Sequence, residues 1–406
     1  MFKEYITEQQ NTHMTHIEDK VLYGGVNGTR QAINALRELR DMLAGKTSSK
    51  LSVKWDGAPA IFAGTDPEDG AFFVAKKGIF AKTGAKVYKS NADIDAELSG
   101  DLADKMKLAL QYLPELGIKG VIQGDFLYAN DDLKREKIDG QQYVTFHPNT
   151  IIYAVPMSQS KPIEDAKIGI VWHTSYKGDK FENMKASYGV DVSKFKNTKN
   201  VWSQDAMLTN AGEATMNEKE TAEVTKYLSN AGKLFNKVSG STLRELEANQ
   251  ELARLIEQYN NTFVREGQLL PPSRKHVVGL LRWMNTKFQK EKDKRKSDKG
   301  KAVQQKKLDE LMKFFSPRNR TSLVNMFDLQ KNLVLAKLKL INRLNSIQNI
   351  DAFVQTKKGY KVKTGAEGFV AIDKLGGDAV KLVDRLEFSY NNFSPDILKG
   401  WEKPTR

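Results

Sequence analysis

The chain has no cysteine. That excludes disulfides, thiolate metal sites and a cysteine nucleophile, and it accords with a reducing cytoplasm. No apolar run approaches the ~20 residues that a membrane-spanning helix needs. The opening Met1-Phe2-Lys3-Glu4-Tyr5 is too polar for a secretory signal. Over most of its length the chain also lacks net charge. Outside Pro271–Ile347 there are 44 basic and 44 acidic residues, whereas inside that stretch 20 Lys and Arg face 6 Asp and Glu. The whole net charge of +14 therefore sits in one contiguous segment. A polyanionic partner is the functional reading, with counterion release supplying affinity; a solvated, partly disordered surface is the duller one.

What is present is a 406-residue chain, 40% hydrophobic and 28% charged, the composition of a soluble globular protein with two domains. Ile33, Leu36, Leu39 and Leu43 recur at helical spacing before Gly45, so the first 50 residues read as helical. The period then shortens. Strands are expected at Leu51–Trp55, Ala60–Ala63, Ala71–Lys76, Val121–Tyr128, Thr150–Val155 and Ile168–His173, with an amphipathic helix through Leu102, Met106, Leu110 and Leu113. From about 205 to 350 only helical stripes remain: Leu252, Leu255, Ile256, Tyr259 and Phe263; Leu308, Leu311, Met312 and Phe315; and a long one from Leu323 to Leu344. Lys290–Lys301 reads as an exposed, disordered connector within them. Strands return at Gly368–Ile372 and Ala379–Val383, around a turn at Gly376-Gly377. The expected fold is α+β with antiparallel sheets: a core segment over 1–204 that includes N-terminal helices over 1–48, a basic all-α insertion over 205–350, and a second core segment over 351–406.

Lys54-Trp55-Asp56-Gly57 ends a strand and enters a turn. A lysine amine placed there can attack an α-phosphate, giving a phosphoramidate and releasing pyrophosphate, which splits one hard transfer into two easier ones. The amine must be uncharged to attack, so burial or neighbouring cations are required. Alone, this short pattern is weakly specific. Downstream, in order and each on an expected strand, stand Ala75-Lys76-Lys77-Gly78, Gln123-Gly124-Asp125-Phe126-Leu127, Thr150-Ile151-Ile152-Tyr153-Ala154, Glu367-Gly368-Phe369-Val370 and Ala379-Val380-Lys381-Leu382.

This series resembles the motifs of the covalent nucleotidyltransferases, the superfamily of ATP-dependent DNA ligases, RNA ligases and mRNA capping enzymes. The resemblance implies a ligase-type core in which Lys54 becomes adenylylated, with Asp56, Glu367 and Lys381 as further catalytic groups. It implies that Gly57, Lys76 or Lys77, Asp125, Tyr153, Glu367 and Lys381 hold ATP with Lys54. In this reading Asp125 binds the ribose, Tyr153 stacks on the purine and Lys381 meets the α-phosphate. Glu367 and Asp125 would serve Mg2+ or Mn2+, for which carboxylate oxygens are suitable ligands. Three residues depart from the family pattern: Pro59 where DNA ligases usually carry arginine, Asp125 for glutamate, and Val383 for a second lysine. The 25 residues after Lys381 are too few for an oligonucleotide-binding barrel, which turns the expectation toward RNA ligases. As a whole the chain also resembles a protein family of large tailed bacteriophages, implying action in the host-cell cytoplasm.

The function expected from these readings is sealing of 5′-phosphate and 3′-hydroxyl ends by a monomer. Lys292, Lys294, Arg295, Lys296 and Lys299 of the insertion would grip nucleic-acid phosphates. Two other classes stay open: transfer of the nucleotide to a protein or an RNA cap, and a degenerate ligase fold that only binds nucleic acid. Duller readings accompany the site residues. Lys54 as a solvated strand end, Tyr153 as core, and Glu367 as a surface carboxylate are all consistent with their types. His13 and His16, near Glu18 and Asp19, read as part of a solvated, frayed N-terminus, and His147 and His173 as structural.

Overall fold

The computed structural model describes residues 15–46, 50–81, 84–207, 216–346, 351–356, 359–363, 367–372 and 379–400. Its first strands are β1 (Lys50–Lys54), β2 (Ala60–Thr65), β3 (Phe72–Ala75), β4 (Val121–Ala129), β5 (Lys134–Ile138), β6 (Gln141–Phe146), β7 (Ile152–Pro156), β8 (Ile168–Lys177), β9 (Lys185–Tyr188) and β10 (Val201–Asp205). After a helical region follow β11 (Asp351–Thr356), β12 (Gly359–Lys363), β13 (Gly368–Ile372) and β14 (Ala379–Leu382). They form sheet A, in the order β1-β13-β14; sheet B, β10-β8-β4-β2-β3 with β9 on β8; and sheet C, β12-β11-β7-β6-β5. Every pairing is antiparallel except that of β8 with β10. The fold is thus mixed α+β with antiparallel sheets.

The helices are α1 (Lys20–Tyr23), α2 (Gly25–Leu43), α3 (Asn91–Glu97), α4 (Gly100–Tyr112), α5 (Lys161–Asp165), α6 (Glu218–Phe235), α7 (Gly240–Ala248), α8 (Gln250–Arg265), α9 (Ser273–Asp293), α10 (Asp298–Met312), α11 (Pro317–Asn345) and α12 (Arg385–Phe393). Their starts follow local chemistry. Asn217 and Glu220 cap α6 reciprocally, satisfying two backbone donors that a helix start leaves open. Ser316 caps α11, and Pro317 at its first turn lacks the N–H that would have no partner there.

Sheet B is buried on both faces because its central strands alternate large apolar residues. Ile61 and Ala63 of β2 pack with Met106 and Ala109 of α4, while Phe62 turns the other way to Phe73, Ile79 and Tyr176. Between sheets B and C lie Leu127, Tyr128 and Val171 on one side and Val144, Phe146, Tyr153 and Val155 on the other, with Trp55 at the margin.

Two expectations are corrected here. Lys290–Lys301 is not a disordered connector: α9 runs to Asp293, α10 begins at Asp298, and the two pack together as a hairpin with a short basic tip. Alternating Lys and Asp conceal this, because charge masks the helical period. The N-terminal segment is not frayed around Glu18 either. Ile17, Glu18 and Asp19 are buried, and α2 shares its core with α6, α7 and α11 and with Leu51, Phe369 and Leu382 of sheet A. The first helices thus pack against both the helical body and sheet A. The Gly376-Gly377 turn and His13 lie outside the described residues.

Buried histidines give the fold a defined acid limit. His276 stacks on Tyr259 with ring centroids 4.7 Å apart, and its Nε2 is 2.8 Å from Asn260 Oδ1. Burial pushes its pKa down to about 4, and burial does the same to His147 and His173. An unfolded histidine takes up its proton near pH ~6.5, whereas these hold none in the fold until about pH 4. Stability is therefore complete above pH ~6.5 and falls as the pH drops toward 4, by roughly 2–3 kcal/mol per histidine. Urea unfolding between pH 7 and 4.5 should show the midpoint sliding downward across that window. A flat profile would mean that the three imidazoles are not neutral in the fold.

Candidate active site

Sheet A ends where sheet B begins, and Lys54 stands at that junction. Lys54 pairs with Gly368 across β1 and β13, which brings the preceding residue, Glu367, beside it. The Lys54 ammonium donates to the Glu367 carboxylate, an ion pair between residues 313 positions apart. The lysine side chain keeps 25% of its exposure, whereas that of Glu367 keeps 8%. On the same sheet Ser52 pairs with Val370, and Val370 with Lys381, so Lys381 lies diagonally from Lys54 on one face. Burial, then the charge of Lys54, lowers the pKa of Lys381, whose Nζ sits 4.6 Å from the ring centroid of Phe388 on α12. Burial raises the pKa of Glu367, with Lys54 opposing the shift.

After Lys54 the chain turns into sheet B, and Asp56 pins that turn. One carboxylate oxygen accepts from Asn149 Nδ2 at 2.7 Å, the other from the backbone N–H groups of Thr150 and Ile151 at 2.8 and 2.9 Å. The Asp56 N–H donates to the hydroxyl of Tyr153 at 2.7 Å. Gly57 is required by space: a Cβ there would stand 2.5 Å from the Cβ of Asp125. Its absence lets β4 bring Asp125 under the turn, with Ala60 of β2 paired to Asp125. The carboxylate of the partly buried Asp125 accepts no hydrogen bond and makes no ion pair among the described residues. Burial raises its pKa to about 7, with Lys54 opposing.

The structure thus brings together Lys54, Asp56, Gly57, Asp125, Tyr153, Glu367 and Lys381 from two distant stretches of chain. Tyr153 does not present a free ring. It is 2% exposed, with Trp55 at 4.9 Å and Phe146 stacked at 5.4 Å, and its hydroxyl supports the turn. Lys76 and Lys77 follow β3 at the end of sheet B that carries Asp125, but no hydrogen bond or ion pair joins them to Lys54 among the described residues. Among the described residues no three His, Asp or Glu side chains gather as an ion site; Asp125 and Glu367 are the two carboxylates whose titration responds to Lys54. The residues Lys292, Lys294, Arg295, Lys296 and Lys299 occupy the α9–α10 tip. There Lys292 donates to Gln305 at 2.7 Å and Lys294 to Glu291 at 2.8 Å.

Sequence reading missed two contributors. His173 occupies a bulge in β8, where the register with β4 slips between Gln123 and Gly124, and the charge of Lys54 adds to burial in depressing its pKa. Bulges re-aim side chains near sites, but an isolated histidine carries no signal of one. Helix α12 was unread as well. Its Phe388, Asn391 and Asn392 join Asp56, Thr150, Ile151 and Glu367 around a narrow cavity of about 10 Å³. The segment after α12 is fastened down: Lys399 Nζ donates to Thr150 Oγ1 at 2.9 Å, and the Gly400 N–H to Asn149 O at 2.7 Å.

No helix of the described residues is long and apolar enough to cross a membrane. No curated protein and no solved structure matches the chain. The family of unknown function DUF6267 matches residues 11–396, nearly the whole length, and the chain belongs to that family.

Proposed function

We propose that this protein is an ATP-dependent nucleotidyltransferase built on a ligase-type core, acting as a polynucleotide ligase through a lysyl-AMP intermediate at Lys54. The observation that carries the reading is the Lys54–Glu367 pair with Lys381 beside it, assembled from residues that the sequence separates by 313 positions. In the first step Lys54 loses a proton to Glu367, whose affinity for protons burial has increased. The amine then forms a nitrogen–phosphorus bond to the α-phosphate of ATP as the bond to the β-phosphate breaks, and pyrophosphate leaves. Lys381 supplies positive charge where charge develops on the phosphate oxygens. AMP next passes to a 5′-phosphate end, and a 3′-hydroxyl displaces it to seal the strand.

Asp56 is a positioning residue in this scheme, since hydrogen bonds occupy both its oxygens. Asp125 and Glu367 have the hard oxygen donors that suit Mg2+ or Mn2+, which would neutralise charge on the nucleotide phosphates. The Asp125 side chain, without a hydrogen-bond partner among the described residues, is equally suited to a ribose hydroxyl.

The basic helical hairpin is proposed as a clamp that grips phosphates without reading sequence. Replacing Lys292, Lys294, Arg295 and Lys296 by alanine should weaken binding of a nicked or single-stranded 5′-phosphorylated substrate. It should also reduce the slope of log affinity against log salt by up to ~3–4, with adenylylation of Lys54 unchanged. Loss of adenylylation in that variant would show that the hairpin serves the chemistry instead. A second reading, a nucleic-acid-binding protein on the same fold without turnover, is favoured by the enclosed ring of Tyr153, which leaves no open face for a purine. Sealing of 5′-phosphorylated ends with ATP and magnesium separates the two readings.

A further inference from the structure

On the side of α12 away from Asp56 and Glu367 lies a larger cavity of about 290 Å³, lined by Gly267, Val354, Lys361, Leu386, Glu387, Tyr390 and Asn391. It is near the lower end of the ~300–1,000 Å³ typical of ligand pockets, enough for one base and its sugar. Three elements build it. The end of α8 contributes Gly267, just beyond its last turn, the β11–β12 hairpin contributes Val354 and Lys361, which pair across the two strands, and α12 contributes the rest.

Its chemistry is that of a stacking platform beside a cation. The Tyr390 ring is 43% exposed, unlike the enclosed Tyr153, and Lys361 Nζ stands 5.4 Å from its centroid. Three residues on, Phe393 is 69% exposed on the same helix. The strand that carries Lys361 opens Gly359-Tyr360-Lys361, a cation directly after an aromatic residue. Aromatic rings next to a basic track are how proteins hold single strands, because every base has a face to stack. Position adds a further argument: Asn391 lines both this cavity and the narrow one containing Asp56 and Glu367, so a nucleotide seated here is one helix width from the Lys54 site.

We propose that this cavity holds one nucleotide of the nucleic-acid strand, with its base on Tyr390, its phosphate toward Lys361 and its base edge toward Glu387 and Asn391. The assignment deepens the ligase reading and rests on it for the identity of the strand. Glu387 repels a neighbouring phosphate, which places the phosphate at the Lys361 end.

The test is fluorescence anisotropy with a labelled, 5′-phosphorylated single-stranded decamer, as DNA and as RNA, at one fixed salt concentration. It compares the full chain with Tyr390→Ala, Tyr390→Phe and Lys361→Ala, while intact-protein mass after incubation with ATP and magnesium is followed in parallel. Tyr390→Ala should weaken strand binding by about tenfold or more. Tyr390→Phe keeps the ring and should bind like wild type, Lys361→Ala should lose affinity, and the AMP adduct should form equally in all four proteins. The proposal is overturned if wild type binds neither strand, or if Tyr390→Ala binds as tightly as wild type. The two readings fail separately: strand binding that depends on Tyr390 without an AMP adduct leaves the cavity standing and removes the ligase, and an adduct with Tyr390-independent binding does the reverse.

Discussion

Replacing Lys54 by alanine is expected to abolish strand sealing and pyrophosphate release, a loss of several orders of magnitude, because no other group can form the covalent intermediate. The neighbouring cation cannot substitute. Lys381 lies against Phe388 of α12, and on β14, with β13 between it and β1, it stands diagonally from Lys54. The variant should remain folded. Lys54 sits at a strand end and keeps a quarter of its exposure, and Glu367, whose proton affinity burial already raises, can take up a proton once its partner is gone. Circular dichroism and the urea midpoint at pH 7 should therefore change little while turnover vanishes. If Lys54→Ala sealed strands at a tenth of the wild-type rate, the lysine would be an auxiliary charge and not the nucleophile.

A second large effect is expected on stability, from Lys337→Ala. Lys337 on α11 is 1% exposed and donates to both oxygens of Glu18 at 2.8 and 2.9 Å, while Gln330 Nε2 donates to the Glu18 carbonyl at 2.9 Å. Beside this pair Arg385, at the start of α12, donates to Asp19 at 2.9 Å and to Asn261 at 2.6 Å. Burial alone would raise the pKa of Glu18; the charges of Lys337, His16 and Arg385 and the hydrogen bonds from Lys337 together outweigh it and hold the carboxyl at about 2. Removing only the lysine leaves a carboxylate buried without its main counter-charge, a change that costs about 3–5 kcal/mol. Replacing both partners, as Glu18→Gln with Lys337→Met, should return much of that loss, since two neutral groups carry no uncompensated charge. Equal destabilisation by the single and double variants would show that packing, and not the ion pair, sets the cost. Because Arg385 joins this cluster to α12, the same network ties the helical body to the wall of the site.

Much of the β-rich part was legible because period-two alternation survives there. Leu51–Trp55, Ala60–Ala63 and Val121–Tyr128 all lie in or overlap strands of the fold, and the helical stripes at Leu252–Phe263 and Leu323–Leu344 lie in α8 and α11. The strands β5, β6, β9, β10, β11 and β12 escaped: Lys134-Arg135-Glu136-Lys137-Ile138 offers one buried residue in five, whereas β6 and β11 bury short unbroken runs that show no alternation. Sheet membership was beyond reach, since nothing in Asp351–Thr356 says that it pairs with β7 across the whole helical region. Within the site, the residue types of Lys54, Glu367 and Lys381 carried enough pattern to be picked out. The role of Asp56 as a pin, the enclosure of Tyr153, the bulge at His173 and the α12 wall all depend on tertiary contacts. Buried charges such as Glu18 and Lys337 are the hardest to read, because their types belong to the surface unless a partner is known.

The central claim, that Lys54 is a covalent nucleophile toward ATP, is tested most directly by intact-protein mass. Wild type and Lys54→Ala, first stripped with pyrophosphate, would be incubated with ATP and magnesium and then weighed. The account predicts a gain of one AMP in wild type, mapped to Lys54 by peptide analysis, and no gain in Lys54→Ala. No adduct in wild type with any nucleoside triphosphate, or an adduct that persists in Lys54→Ala, would contradict it.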